Sequence, residues 1–192
     1  MIYKLLALAL MAAFYACYFG KAVSQRKKGV STMHLGSGKS GAVRNVEYGV
    51  LFASVLTPVA ELVSIFSDSS MLPSFFRGLG VCLGAVGVSF FVAAVITMRD
   101  SWRAGVAETD QTDLVTGGIF SVSRNPAFLG FYLHYVGILL TFFHPVLLIV
   151  TLFAMWMFHL QITKVEEPFL HNAFGDDYAN YAKKVCRYLG RR

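Results

Sequence analysis

Charge is what this sequence has least of. Only 15% of its 192 residues are Asp, Glu, Lys or Arg, where soluble domains carry about 25%. Cysteine is also scarce. Three cannot all pair, and Cys17 and Cys82 fall inside apolar runs, which excludes a disulfide-stapled secreted miniprotein. No His–Cys spacing points to a metal. What fills the chain instead is apolar: 56% of residues, with a mean hydropathy of +0.57. That composition excludes intrinsic disorder and collagen-like repeats. The net charge of +6 would suit nucleic acid if it were gathered on one face. Here the basic residues sit in short segments between long apolar stretches, as in a polytopic membrane protein, so no nucleic-acid partner is expected.

About 20 apolar residues cross the hydrocarbon core as a helix. Ile2–Phe19, Val46–Phe66, Leu79–Met98, Ala127–Phe143 and Val146–Thr163 meet or approach that length. The sequence therefore predicts an all-α integral membrane protein with about five transmembrane helices. His144-Pro145 reads as a tight turn, because proline is tolerated at the start of a helix, so the fourth and fifth spans form a helical hairpin. The first run resembles a signal peptide but exceeds the usual apolar length of roughly 7–15 residues and lacks an A-x-A site, so it is expected to be retained. Five spans place 15 of the 17 basic residues on one side. The positive-inside rule then sets the N-terminus outside and the loops and tail in the cytoplasm, in the inner membrane of a prokaryotic cell. The whole is one membrane-embedded domain, with helices one to three in residues 1–98 and a cofactor-binding half in 99–192.

Small residues at Gly80 and Gly84 have the spacing that lets helices approach closely in lipid, and packing within the chain is expected rather than a dimer seam. Oligomeric state is left open. Residues 29–41 are rich in Gly and Ser and read as a loop. Gly36–Ser40 resembles a phosphate loop but lacks its first glycine and any preceding strand, so nucleotide triphosphate binding is not expected.

Polar clusters collect at one surface. Arg124-Asn125-Pro126 precedes the fourth span, while His159 and Glu166-Glu167 end the fifth. The hairpin should make them neighbours, since packed helices lie roughly 8–10 Å apart. The tail repeats apolar residues at spacings of three and four (Phe169, Leu170, Phe174, Tyr178, Tyr181, Val185, Tyr188), predicting two short amphipathic helices broken at Gly175. Lys183, Lys184 and Arg187 suit an anionic membrane surface. Two adjacent glutamates there gain nothing from lipid unless they bind something. Glu61 reads as interfacial, and Glu47 lies near enough to the cytoplasmic end to approach the cluster.

Ser101-Trp102-Arg103-Ala104-Gly105, Leu114–Phe120 and Ser123-Arg124-Asn125-Pro126-Ala127-Phe128-Leu129-Gly130 closely resemble the isoprenylcysteine carboxyl methyltransferase family and its phospholipid N-methyltransferase relatives. Val165–Leu170 with Phe174–Tyr178 and Tyr181 resembles that family's second signature. The likeness covers about residues 99–189. It implies an S-adenosylmethionine-dependent methyltransferase whose cofactor lies beneath the tail. Arg124 and Glu167 are then the expected catalytic residues. Asn125, Pro126, Tyr132, His159, Glu166, Glu167 and Tyr178 are the cofactor-binding set, and Trp102, Arg103 and Tyr135 face the substrate. The physics of the residues agrees: aromatic faces (Tyr132, Tyr135, Trp156) attract a sulfonium, a glutamate suits ribose or amino groups, and an arginine suits a carboxylate. Arg124 also suits a plain interfacial anchor, and Trp102 with Arg103 a belt position.

Asn125 stands where family members usually carry His, and Val165 where the eukaryotic enzymes carry Arg, with Lys164 beside it. Without a strong base near the donor, a carboxylate or thiol acceptor is favoured over an amine, and the acceptor is expected to be lipophilic or small, reaching the site from the bilayer. Two other functions share these features. A membrane reductase using a reduced nicotinamide dinucleotide needs more basic contacts than Arg103, Arg124 and Lys164 supply. A transporter or assembly protein would place polar residues near the bilayer midplane.

Overall fold

The computed structural model describes residues 1–29, 35, 40–68, 70–102 and 113–192. Arg103 and most of the Gly/Ser loop lie outside the described residues. Among those residues the chain is helical: α1 (Ile2–Lys27), α2 (Gly41–Ser67), α3 (Ser74–Met98), α4 (Pro126–Thr141), α5 (Pro145–Gln161) and α6 (Glu167–Lys184). A π-helical turn, Ile162–Glu166, joins α5 to α6, and α6 breaks at Gly175, where φ is 51°. The tail is thus two helical pieces hinged where the sequence predicts.

Four helical stretches are long and apolar enough to cross a membrane: α1, α2, α3 and the run beginning at Pro145. The predicted fourth span is shorter. Its 16 residues reach about 24 Å, against roughly 30 Å of hydrocarbon. It is also the most interior helix, burying nine of those residues against its neighbours.

The reason is glycine. α4 crosses α3 so closely that a Cβ on Gly137 would sit 2.5 Å from the Gly84 nitrogen, and one on Gly87 2.5 Å from the His134 nitrogen. Gly80, Gly84 and Gly87 of α3 therefore pack within the chain, as expected. The hairpin itself corrects the sequence reading. Its turn is built as predicted, with the Val146 N–H donated to His144 Nδ1 and Pro145 opening α5. Yet α4 lies closest to α3 and α5 to α2. Tyr132, Tyr135 and Phe158 fill the space between the hairpin helices instead, and bulky rings hold backbones apart where glycines let them touch.

The end of α1 is tied to the end of α3. Gln25, fully buried, donates to the Trp102 carbonyl at 2.8 Å. Lys28 pairs with Asp100 at 2.8 Å, and its hydrogen bond holds that carboxyl below the usual range. Trp102 is thereby pinned inward rather than left as a membrane-belt anchor.

Glu61 is a second correction. It is not interfacial. It is fully buried in α2, beside Tyr15 and Tyr135, and neither carboxyl oxygen has a hydrogen-bond partner among the described residues. An unpartnered buried polar group costs about 1–3 kcal/mol. Glu61→Leu is therefore expected to raise the thermal midpoint of the detergent-solubilised protein. A fall in that midpoint would show that the carboxyl has a stabilising role.

Candidate functional site

The loop before α4 and the segment after α6 are stitched together through their backbones. Arg124 N–H donates to the Cys186 carbonyl at 3.1 Å and Gly190 N–H to the Val122 carbonyl at 2.8 Å. Asn125 Nδ2 donates to the Arg187 carbonyl at 3.1 Å, and the Tyr181 hydroxyl to the Phe120 carbonyl at 2.6 Å. The Ser123 hydroxyl accepts the Asn125 N–H, and Pro126 then starts α4 where its missing donor is harmless. These bonds fix Arg124-Asn125-Pro126 at the mouth of the bundle.

Electrostatics completes the junction. Arg124 NH1 lies 3.0 Å from Glu167 Oε1 and donates to the Tyr178 hydroxyl at 2.9 Å. Arg187 grips both oxygens of the same glutamate, at 2.9 and 2.7 Å. Burial works to raise the Glu167 carboxyl, but the Arg187 hydrogen bonds and the two guanidinium charges outweigh it and hold the group below its ordinary value. Burial pushes the Tyr178 hydroxyl up, since the nearby arginine offsets only part of that cost.

Beneath this junction lies a cavity of about 370 Å³, within the usual ligand-pocket range of roughly 300–1,000 Å³. Its polar end is formed by Arg124, Asn125, Glu166 and Gln161, and its flank by Trp102, Pro126 and Tyr178. The π-helical turn places consecutive glutamates on different tasks: Glu166 lines the cavity while Glu167 turns to the arginines. Such turns recur at functional sites. The rest of the lining is mainly apolar and includes Phe19, Leu51 and Val55, side chains that are also exposed.

Six of the predicted residues therefore meet around one cavity: Trp102, Arg124, Asn125, Pro126, Glu166 and Tyr178. Four others lie off its wall. Glu167 is held in the ion cluster. Tyr132 donates to the Met155 carbonyl at 3.1 Å, with its ring against Tyr188. His159 meets the Tyr188 hydroxyl at 2.6 Å and stacks on Trp156, which is 60% exposed. Tyr135 is sealed in the core beside Glu61. None of these rings reaches the cavity, so the expected aromatic contacts fall to others, among them Tyr18, Phe128 and Phe131. Gln161 and Asp113 also line the cavity without having been expected; their sequence context carries no signal.

The phospholipid methyltransferase family profile matches residues 75–177, a stretch that includes α3, the Arg124 loop, α4, α5 and the start of α6. The chain belongs to the phospholipid methyltransferase family. It is 32% identical over 109 residues to the protein-S-isoprenylcysteine O-methyltransferase of Saccharomyces cerevisiae, covering 56% of this chain and 46% of the yeast protein. It is 26% identical over 137 residues to protein-S-isoprenylcysteine O-methyltransferase B of Arabidopsis thaliana, covering 70% and 68% of the two chains. With the Mus musculus protein-S-isoprenylcysteine O-methyltransferase it shares 25% identity over 127 residues, covering 65% and 44%. The chain spans about half the length of most of the curated relatives it matches. The family's profile coincides with the part of this chain that forms the polar end of the cavity.

Proposed function

We propose that this family member is a membrane-embedded methyltransferase that takes S-adenosylmethionine at the polar end of the cavity and a lipophilic acceptor from the bilayer. The observation that carries this reading is one cavity whose lining joins two chemistries: charged and amide groups at Arg124, Asn125, Glu166 and Gln161, and exposed hydrocarbon at Phe19, Leu51 and Val55. A soluble cofactor and a membrane-borne acceptor need that pairing. The residues fit the cofactor. Its carboxylate suits Arg124, its amino group or ribose suits Glu166, and the rings of Tyr18 and Trp102 offer faces to a cation.

When bound, the cofactor supplies a methyl group on a sulfonium centre. The chain's own contribution is placement. Pro126 and the bonds at Arg124 and Asn125 fix the donor end, while the aromatic lining excludes water. Alignment and water exclusion are the main sources of rate for an in-line displacement. Among the described residues that line the cavity there is no histidine or lysine, which supports a carboxylate acceptor, isoprenylcysteine-type included, or a thiol. The basic-residue distribution supports a site facing the cytoplasm, with the N-terminus outside.

The test is calorimetric titration of the purified protein with S-adenosylmethionine, S-adenosylhomocysteine and a reduced nicotinamide dinucleotide. Saturable binding of the first two, weakened at least 10-fold by Arg124→Ala in a folded variant, is the expected result, about the value of one lost charged contact. Binding of the dinucleotide alone would move the protein to the reductases.

A further inference from the structure

Gln161 is the last residue of α5, immediately before the π-helical turn. It lines the cavity, is only 1% exposed, and neither its amide oxygen nor its amide nitrogen has a hydrogen-bond partner among the described residues. Burying a primary amide with both its donor and acceptor unmatched is costly, and native interiors rarely tolerate it. Of the neighbouring polar groups, Arg124 is held by Glu167 and Tyr178 with only its Nε left over, and Asn125 Nδ2 donates to the Arg187 carbonyl. Among the described residues of the cavity wall, Gln161 is thus the neutral amide whose donor and acceptor are both unmatched, in a mainly apolar and aromatic setting.

A ligand complementary to Gln161 must present an acceptor beside a donor on a flat, uncharged edge. Of the parts of the cofactor proposed above, only the base has that pattern. The amino acid and ribose ends call for charge or hydroxyl recognition, whereas adenine carries an amino group next to a ring nitrogen, the edge that glutamine pairs with bidentately. We propose that Gln161 is the specificity-determining residue for the base: its oxygen accepts from the 6-amino group and its nitrogen donates to ring nitrogen N7, an edge that becomes two acceptors in a 6-oxopurine. The aromatic lining at Phe128 and Phe158 supplies flat surface for the same ring system. This inference rests on the proposed use of an adenosyl cofactor at the cavity's polar end.

The experiment titrates the full chain with S-adenosylhomocysteine and with its 6-oxo counterpart, S-inosylhomocysteine, in which the amino donor becomes an acceptor. The wild-type protein is expected to bind the 6-oxo compound about 10- to 100-fold more weakly, the usual consequence of leaving a buried group unpaired. Gln161→Met, similar in volume and apolar, is expected to bind both with nearly equal affinity and to keep the wild-type thermal midpoint within a few degrees. Gln161→Asn keeps the amide but withdraws it by one methylene, and should show an intermediate ratio; it serves if the methionine variant does not fold. Equal wild-type affinities, or an undiminished ratio in a folded variant, would overturn the role of Gln161 while leaving the cofactor assignment intact. Failure of the wild-type protein to bind either compound would overturn both.

Discussion

Glu167→Ala is expected to destabilise the protein by about 3 kcal/mol, as breaking a buried ion pair from one side does, and to abolish cofactor binding with it. The carboxylate is the shared partner of Arg124 and Arg187. Removing it leaves two guanidinium groups facing each other, one of them nearly buried, at the junction that holds the tail over the cavity. Glu167→Gln keeps the shape and removes the charge, so it should lose most of the same stability. The readouts are the thermal midpoint in detergent and limited proteolysis of the tail. In a double-mutant cycle with Arg124→Ala, the two losses should not add, because each variant removes the same pair. Additive losses would mean that the ion cluster is not a unit.

The same group gives the stability a pH dependence of definite sign. The folded-state value of the Glu167 carboxyl is lowered by Arg187 and Arg124 despite burial. Its contribution is therefore complete above the unfolded carboxylate value of about 4.3 and is lost as pH falls through the folded value. The wild-type protein and Glu167→Gln should differ by a constant amount from neutral pH down to that unfolded value, and converge below it. A difference that instead shrinks on the alkaline side would contradict the assignment.

Gly137→Leu is expected to give no folded protein. A Cβ at this position would lie 2.5 Å from the Gly84 nitrogen and 2.7 Å from the Gly80 carbonyl oxygen. Those are backbone atoms of a packed helix and cannot turn aside as a flexible side chain would. Gly137→Ala should already cost about 3 kcal/mol or more, at the upper end of overpacking effects, because α3 and α4 must separate along their whole contact. Gly78→Ala is the matched control. It lies in α3 with open space around it, and it should be neutral or stabilising by up to about 1 kcal/mol through helix propensity alone. The measurements are the yield of monodisperse protein and its thermal midpoint. Equal behaviour of the two positions would refute the close α3–α4 crossing.

Much of the architecture was legible in the sequence because membrane helices obey a length rule. Apolar runs placed α2, α3 and α5 to within about five residues and the start of α1, although α1 continues past Phe19 to Lys27. The proline after His144 marked the hairpin turn, and Gly175 marked the break in the tail. Arg124 and Glu167 were expected to be neighbours, and they are, since a two-helix turn brings the ends of its arms to one side. Helix partners were not legible. A run of apolar residues states that a face is buried, but not against what. Hence α4 was expected against α5, whereas five glycines on α3 and α4 draw those helices together instead.

At the site, residue order alone shows which residue types gather at one end of the bundle: an arginine and asparagine before a proline, paired glutamates and a tail rich in tyrosine. Motif order and charge distribution are one-dimensional properties and need no folding to be read. Which member of each pair faces the cavity depends on how the helices fold together. Glu166 lines it and Glu167 does not, because the π-helical turn rotates adjacent side chains to different surroundings and Arg187 arrives from 20 residues further on. Tyr132, Tyr135 and His159 satisfied the chemistry of a cofactor site but turn toward Met155, the Glu61 layer and Tyr188. Gln161 carried no signal at all. Its significance lies in an unmatched amide at a cavity wall, and whether a polar group is matched depends on neighbours from distant parts of the chain, which only folding brings together.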